Sequence, residues 1–136
     1  MDFIKSIAVA ASGLRAQAGR MRVIAENIAN SDSTATRPGG EPYRRKVATF
    51  RSEVDRSLQA SVVGLGRVDT DRSEFRQKYE PGHPSADANG YVKYPNVNSL
   101  IEMADMREAQ RSYEANLNVV GATRRMIQRT IEILKA

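Results

Sequence analysis

The chain has no cysteine and no tryptophan, and its 136 residues include only three Phe and five Tyr. Without cysteine there are no disulfides, thiolate metal ligands or cysteine nucleophiles; that absence fits an oxidising and a reducing compartment equally. Aromatics at 6% supply too little ring surface for a large aromatic-lined pocket, although hydrophobic residues reach 40%. Histidine occurs once, as His83 between Gly82 and Pro84, so no imidazole pair for zinc can be assembled. A lone histidine in that setting reads as a loop residue. No serine sits in the strand–turn–helix surroundings of a hydrolase nucleophile. No run approaches the ~20 apolar residues of a membrane span, so no membrane insertion is expected. The stretch Ile7–Ala11 holds an Ala8-x-Ala10 step like those cut by signal peptidase, but Asp2 precedes the single Lys5 and the apolar run is short. It reads as mature helix, so work outside the cytoplasm requires export without a cleaved signal peptide.

The net charge of +5 admits nucleic acid, an anionic membrane or an acidic protein as partner. The positive residues are dispersed, however, and the densest run, Arg44-Arg45-Lys46, reads as solvated surface. A basic nucleic-acid-binding helical protein therefore stands as the alternative reading, and its binding would weaken steeply with salt. Ser85-x-Asp87-x-Asn89-Gly90 has the outline of a calcium-loop opening, but the twelfth position is Asn96, where a bidentate Glu is required. Asn89-Gly90 reads instead as a tight turn between extended segments. Gly64-Leu65-Gly66 lacks the third glycine and the following helix of a dinucleotide site, and reads as a turn. No carboxylate pair shows glycosidase spacing. The sequence thus predicts no catalytic residue, no metal site and no cofactor.

What it does carry is periodicity. Ile4, Ile7, Ala11, Leu14, Ala18, Met21, Ala25 and Ile28 follow one another in steps of three and four, which aligns them on one helix stripe. Asn30 is expected to stop that helix in the left-handed capping conformation. Met103, Met106, Tyr113, Leu117, Val120, Ile127, Ile131 and Leu134 repeat the spacing, with Ala115, Val119, Met126 and Ile133 as a second stripe beside them. Pro95 bounds this segment, and Asn98 or Ser99 caps its start. Between the helices, 31–42 and 80–90 have loop compositions, while Tyr43–Phe50, Gly66–Thr70, Phe75–Tyr79 and Tyr91–Tyr94 suggest short strands. The expected fold is mainly α: an antiparallel coiled-coil pair of long N- and C-terminal helices with a small β-rich middle segment. The expected organisation is a discontinuous helical domain, 1–30 with 97–136, around a middle segment 31–96. Periodicity fits an ordinary closed bundle as well as an open assembly. The wide apolar face of the second helix exceeds what one partner helix covers, which favours a further molecule.

Specific motifs then point further. Ala25-Glu26-Asn27-Ile28-Ala29-Asn30 resembles the N-terminal signature of the flagellar rod and hook axial proteins, and Ser112-Tyr113-Glu114-Ala115-Asn116-Leu117 is similar to their C-terminal signature. Gly40-Glu41-Pro42-Tyr43-Arg44-Arg45-Lys46, Tyr79-Glu80-Pro81-Gly82-His83-Pro84, Asp87-Ala88-Asn89-Gly90-Tyr91 and Tyr94-Pro95-Asn96-Val97-Asn98 resemble the proximal rod members, in order and over essentially the whole chain. The short middle segment separates it from the longer distal-rod and hook relatives. The resemblance implies a structural subunit, not an enzyme, that polymerises into the helical drive shaft transmitting torque across the periplasm for motility. It implies passage through the flagellar type III export apparatus. The implied partners are copies of itself, other proximal and distal rod proteins and the basal-body ring adaptor protein. Assigned to subunit interfaces on this reading are the apolar residues Ile7, Leu14, Met21, Ile28, Tyr113, Leu117, Val120, Ile127, Ile131 and Leu134. Asn27, Asn30, Asn96, Asn98 and Asn116 join them as register-fixing amides, with capping and turn duty as the competing role.

Overall fold

The computed structural model of the protein describes residues 2–136. Its elements in chain order are α1 (Phe3–Ala29), β1 (Lys46–Asp55), β2 (Ala60–Thr70), β3 (Arg76–Tyr79), β4 (Tyr91–Tyr94) and α2 (Ser99–Lys135). The strands form two separate two-stranded sheets, β1 with β2 and β3 with β4. The expectation of a mainly α coiled-coil fold is corrected by this strand content. Helices of 27 and 37 residues share the chain with strands of 10, 11, 4 and 4 residues, a mixed α and β architecture. The sequence under-reports the β content because β1 is exposed over 50–54 and β2 over 67–70. Solvated strands lack the apolar alternation that marks a half-buried one.

Two turns also depart from expectation. Gly64 and Gly66 lie inside β2, not in a turn. A Cβ at Gly66 would come within 2.8 Å of Thr49 Oγ1 and 3.2 Å of the Thr49 carbonyl oxygen, so glycine there lets the strands lie close. The β1–β2 turn occupies 56–59, where Asp55 Oδ1 accepts the N–H groups of Ser57 (2.9 Å) and Leu58 (3.3 Å). Gln59, at φ 49°, is the one non-glycine residue in the left-handed region among those described. Asn30 therefore does not end α1 in that conformation; its side-chain amide donates to the Glu26 carbonyl at 2.9 Å. Asn98 does cap α2, accepting the Leu100 N–H at 3.1 Å.

The chain divides into two compact units. The first comprises the chain up to Met21, Ala48–Arg67 and Arg107–Ala136. In it α1 and α2 run antiparallel, since Gly13 faces Asn116 while Arg20 reaches Glu108 at 3.5 Å. The inner line is built from small residues: Ala10, Ser12, Gly13 and Ala16 on α1, Ala109 and Thr123 on α2. A Cβ on Gly13 would stand 2.7 Å from Asn116 Nδ2, so glycine makes the seat for that amide. Leu65 of β2 fills the corresponding space at Gly19. The Ser12 hydroxyl accepts the Val63 N–H at 3.2 Å and donates to the Val9 carbonyl at 2.6 Å.

The aliphatic stripe read from the sequence of α1 is not this inner line. At 3.6 residues per turn it lies roughly 150° around the helix from Gly13 and Ala16. Ile4 is 72% exposed, Ala18 is exposed, and Ile7, Ala11, Leu14 and Met21 are half-buried. The residues small enough for close backbone approach take the inner line, and the larger aliphatics face away from α2.

The second unit comprises Arg22–Val47 and Val68–Met106. Val23, Ile24, Val92, Pro95 and Val97 form its apolar core. β3 and β4 pair antiparallel, Arg76 with Tyr94 through Tyr79 with Tyr91. Asn89-Gly90 closes the last turn of the 80–90 connection, where Asp87 Oδ1 accepts the Asn89 and Tyr91 N–H groups, both at 2.9 Å. Ser85, buried, donates its hydroxyl to the Ala35 carbonyl and anchors this loop.

Candidate functional site

The most constrained chemistry in the chain is a polar cluster in the second unit. Glu102, in the first turn of α2 and four residues after its Asn98 cap, is 1% exposed. It accepts from Arg45 Nε and from Asn27 Nδ2, the latter at 3.1 Å. Arg45 also reaches Asp71 (3.5 Å) and Asp105 (3.8 Å). Burial pulls the Arg45 guanidinium down, but the hydrogen bond and charge of Glu102, with Asp71 and Asp105, outweigh it and hold the group above its ordinary range. Asn27, equally buried, uses its whole amide: Nδ2 donates to the Lys46 carbonyl (2.8 Å) and to Glu102, while Oδ1 accepts from Lys46 N (2.9 Å) and from Tyr43 Oη (2.8 Å). Burial, then the charges of Glu26 and Glu102, pushes the Tyr43 phenol up to about 12.

This cluster overturns the reading of Arg44-Arg45-Lys46 as solvated surface. Arg45 points into the carboxylates, Lys46 pairs with Glu26, and Arg44 lies over the Phe75 ring at 4.2 Å. A buried ion pair of this kind is costly to break, because removing one partner strands a desolvated charge. Sequence reasoning missed Tyr43, Arg45, Asp71 and Glu102 as positioning residues. The available signal was that Glu102 stands seven residues before Ala109 on the inner line of α2, where a solvated glutamate does not belong.

The other residues assigned from sequence fall into two groups. Asn30 accepts from the Ser33 hydroxyl (3.1 Å) besides donating to Glu26. Asn96 accepts the Arg45 N–H (2.8 Å) and donates to the carbonyls of Asp71 (3.0 Å) and Ser73 (3.2 Å). Asn98 caps α2, and Asn116 sits against Gly13. These amides are engaged within the chain. The apolar group is different. Leu117 is 51%, Ile131 47% and Leu134 80% exposed, while Tyr113, Val120 and Ile127 are half-buried. Val119, Met126 and Ile133 of the second stripe are also exposed. Ile7, Leu14 and Met21, on the outer side of α1, are half-buried, as is Ile28 in the second unit, so each leaves part of its apolar surface open.

Among the described residues no group of three or more His, Cys, Asp or Glu side chains is placed to hold a metal ion. No described helix is long and apolar enough to cross a membrane. His83 accepts the Ser85 N–H on Nδ1 at 3.0 Å, a contact that shapes its own loop.

Comparison with known proteins is consistent across the chain. Residues 7–35 match the family described as flagella basal body rod protein, and residues 88–133 match the family described as flagellar basal body rod FlgEFG protein C-terminal. The flagellar basal-body rod protein FlgC of Agrobacterium fabrum is 53% identical over 128 residues, covering 94% of this chain and 92% of that protein. FlgC of Salmonella typhimurium is 38% identical over 133 residues, with 98% of each chain covered. FlgC of Bacillus subtilis is 39% identical, covering 99% of this chain and all of the relative.

Proposed function

The chain belongs to the FlgC family of flagellar basal-body rod proteins, and from that premise we propose that it polymerises through its exposed helix faces. It is a structural subunit of the flagellar basal-body rod and associates with other basal-body components. The nucleic-acid-binding alternative finds no support among the relatives. The finer reading is a non-catalytic building block of the helical drive shaft that carries torque across the periplasm. Its neighbours are copies of itself, the other proximal and distal rod proteins and the ring adaptor. It reaches them through the flagellar type III export apparatus.

The observation that carries the assembly reading is the apolar surface on the two helices. Ile7, Leu14, Met21 and Ile28 on α1 form one contact stripe, and Tyr113, Leu117, Val120, Ile127, Ile131 and Leu134 on α2 form the other. Contacts that do not close into a ring generate an open helical polymer. The asparagines serve this indirectly: Asn27, Asn30, Asn96, Asn98 and Asn116 fix the internal register that presents the stripes. A single charge on a stripe tests it. Leu117→Asp or Leu14→Asp is expected to leave a soluble, folded chain and to abolish basal-body assembly and swimming when it replaces the native copy. Normal basal bodies from both variants would refute the interface.

A further inference from the structure

Of the chain's seven asparagines only Asn89 is followed by glycine. In a mobile chain that pair is chemically labile. The glycine nitrogen gives its proton to solvent and attacks the asparagine Cγ. A C–N bond forms, the Cγ–Nδ2 bond breaks, and the NH2 group takes a proton from water and leaves as ammonia. The cyclic imide then adds water at one of its two carbonyls and opens to aspartate or isoaspartate. Glycine makes the step easy because no Cβ hinders the approach of its nitrogen. The backbone must meet two conditions: the glycine N–H has to be released from any acceptor, and the peptide has to be free to turn towards the side chain.

The fold withholds both. Asn89 is exposed, but Gly90 is buried. The Gly90 N–H donates to the Asp87 carbonyl at 3.0 Å, and the Gly90 carbonyl accepts the Glu80 N–H at 2.9 Å. On either side, Asp87 Oδ1 accepts the Asn89 and Tyr91 N–H groups, and the Tyr91 carbonyl accepts the Asp87 N–H at 2.9 Å. Tyr79 and Pro81 pack against the glycine so closely that the peptide has no room to swing. Turning it breaks these bonds together, yet all of them lie within residues 79–91, so the loop can open without the rest of the chain. We propose that Asn89 is a site of spontaneous deamidation which the 80–90 loop holds shut, so that modification proceeds only through the opened loop. An isoaspartate adds a methylene to the main chain between residues 89 and 90 and displaces Gly90 from Glu80. The turn then cannot reclose, and the modification is a one-way record of loop opening. The rod role neither requires this site nor depends on it.

The test ages the full, folded chain beside a synthetic peptide of residues 79–93 in one mildly alkaline buffer. Lys78 and Lys93 bound that segment with no Lys or Arg between them, so trypsin releases the same peptide from the chain and mass spectrometry reads one product in both samples. The folded chain is expected to deamidate at Asn89 about tenfold or more slowly than the peptide. Amide exchange at Gly90, followed by NMR, needs the same release of the N–H, and its protection factor is expected to match that slowing within about threefold. Asp87→Ala removes the carboxylate that holds Asn89 and Tyr91. It is expected to bring the folded rate within about threefold of the matching Ala peptide, while exchange protection persists at Val92 in the core. Loss of protection at Val92 would mean that the variant has unfolded, and the two measurements on the parent chain then decide. Equal rates in the parent chain and the peptide would overturn the proposal. So would a freely exchanging Gly90 N–H, deamidation slowed far beyond the exchange protection, or a folded Asp87→Ala chain as slow as the parent.

Discussion

Replacing Arg45 by Met removes the guanidinium and keeps the length of the side chain. Glu102, at 1% exposure, would then retain only the Asn27 amide as partner. Breaking a buried ion pair from one side costs about 3–5 kcal/mol. Arg45 keeps 23% of its side chain exposed, and its contacts to Asp71 and Asp105 are long and part-solvated, so those add little. We therefore expect a loss of about 2–4 kcal/mol, which for a chain of this size lowers the melting temperature by about 6–14 °C. Urea titration followed by circular dichroism measures the first quantity, and a thermal scan the second. The reasoning makes a second demand. Arg45→Met combined with Glu102→Leu removes both charges, and it is expected to recover most of the loss, because an apolar pair in that space strands nothing. A single variant within about 0.5 kcal/mol of the parent, or a double variant no better than the single, would refute the claim that the cluster works by mutual neutralisation.

The remaining predictions concern other parts of the chain. Tyr43, held near 12 by burial and by Glu26 and Glu102, keeps its proton in the fold where an unfolded tyrosine loses it near 10. Its contribution to stability is full below pH 10 and is lost as pH rises from 10 to 12, a decline that Tyr43→Phe is expected to flatten in an alkaline denaturation series. Gly90 has φ +85°, and a Cβ there would meet Tyr79 Cε2 at 2.8 Å and Pro81 Cβ at 3.2 Å. Gly90→Ala is expected to cost about 1–3 kcal/mol in the same urea assay and to leave the helical signal intact.

How far the sequence spoke depended on where each residue ended up. Both helices were legible because their apolar residues recur at helical spacing and Asn98 supplies a cap. The use of those residues was not. The stripe from Ile4 to Met21 has the spacing of a coiled-coil seam, but Gly13, Ala16 and Ala109, which let the backbones approach, hold the inner line between the helices. Periodicity shows that a stripe exists and says nothing about which molecule covers it. The β1–β2 hairpin was only half legible, since Phe50 to Val54 are exposed and their order of polar and apolar residues is under no burial constraint. Arg45 and Glu102 lie 57 residues apart and meet only through the fold, so no local pattern announced their pairing, although the place of Glu102 on the inner line of α2 marked it for burial.

Assembly through the exposed helix faces is tested most directly by side-chain protection. The chain has no cysteine, so Leu14→Cys and Leu117→Cys each introduce a single reactive thiol. Maleimide labelling is compared between the purified monomer and isolated basal bodies containing the same variant. The account predicts ready labelling of both thiols in the monomer and protection of both in the basal body. Equal labelling rates in the two states, at both positions, would contradict it.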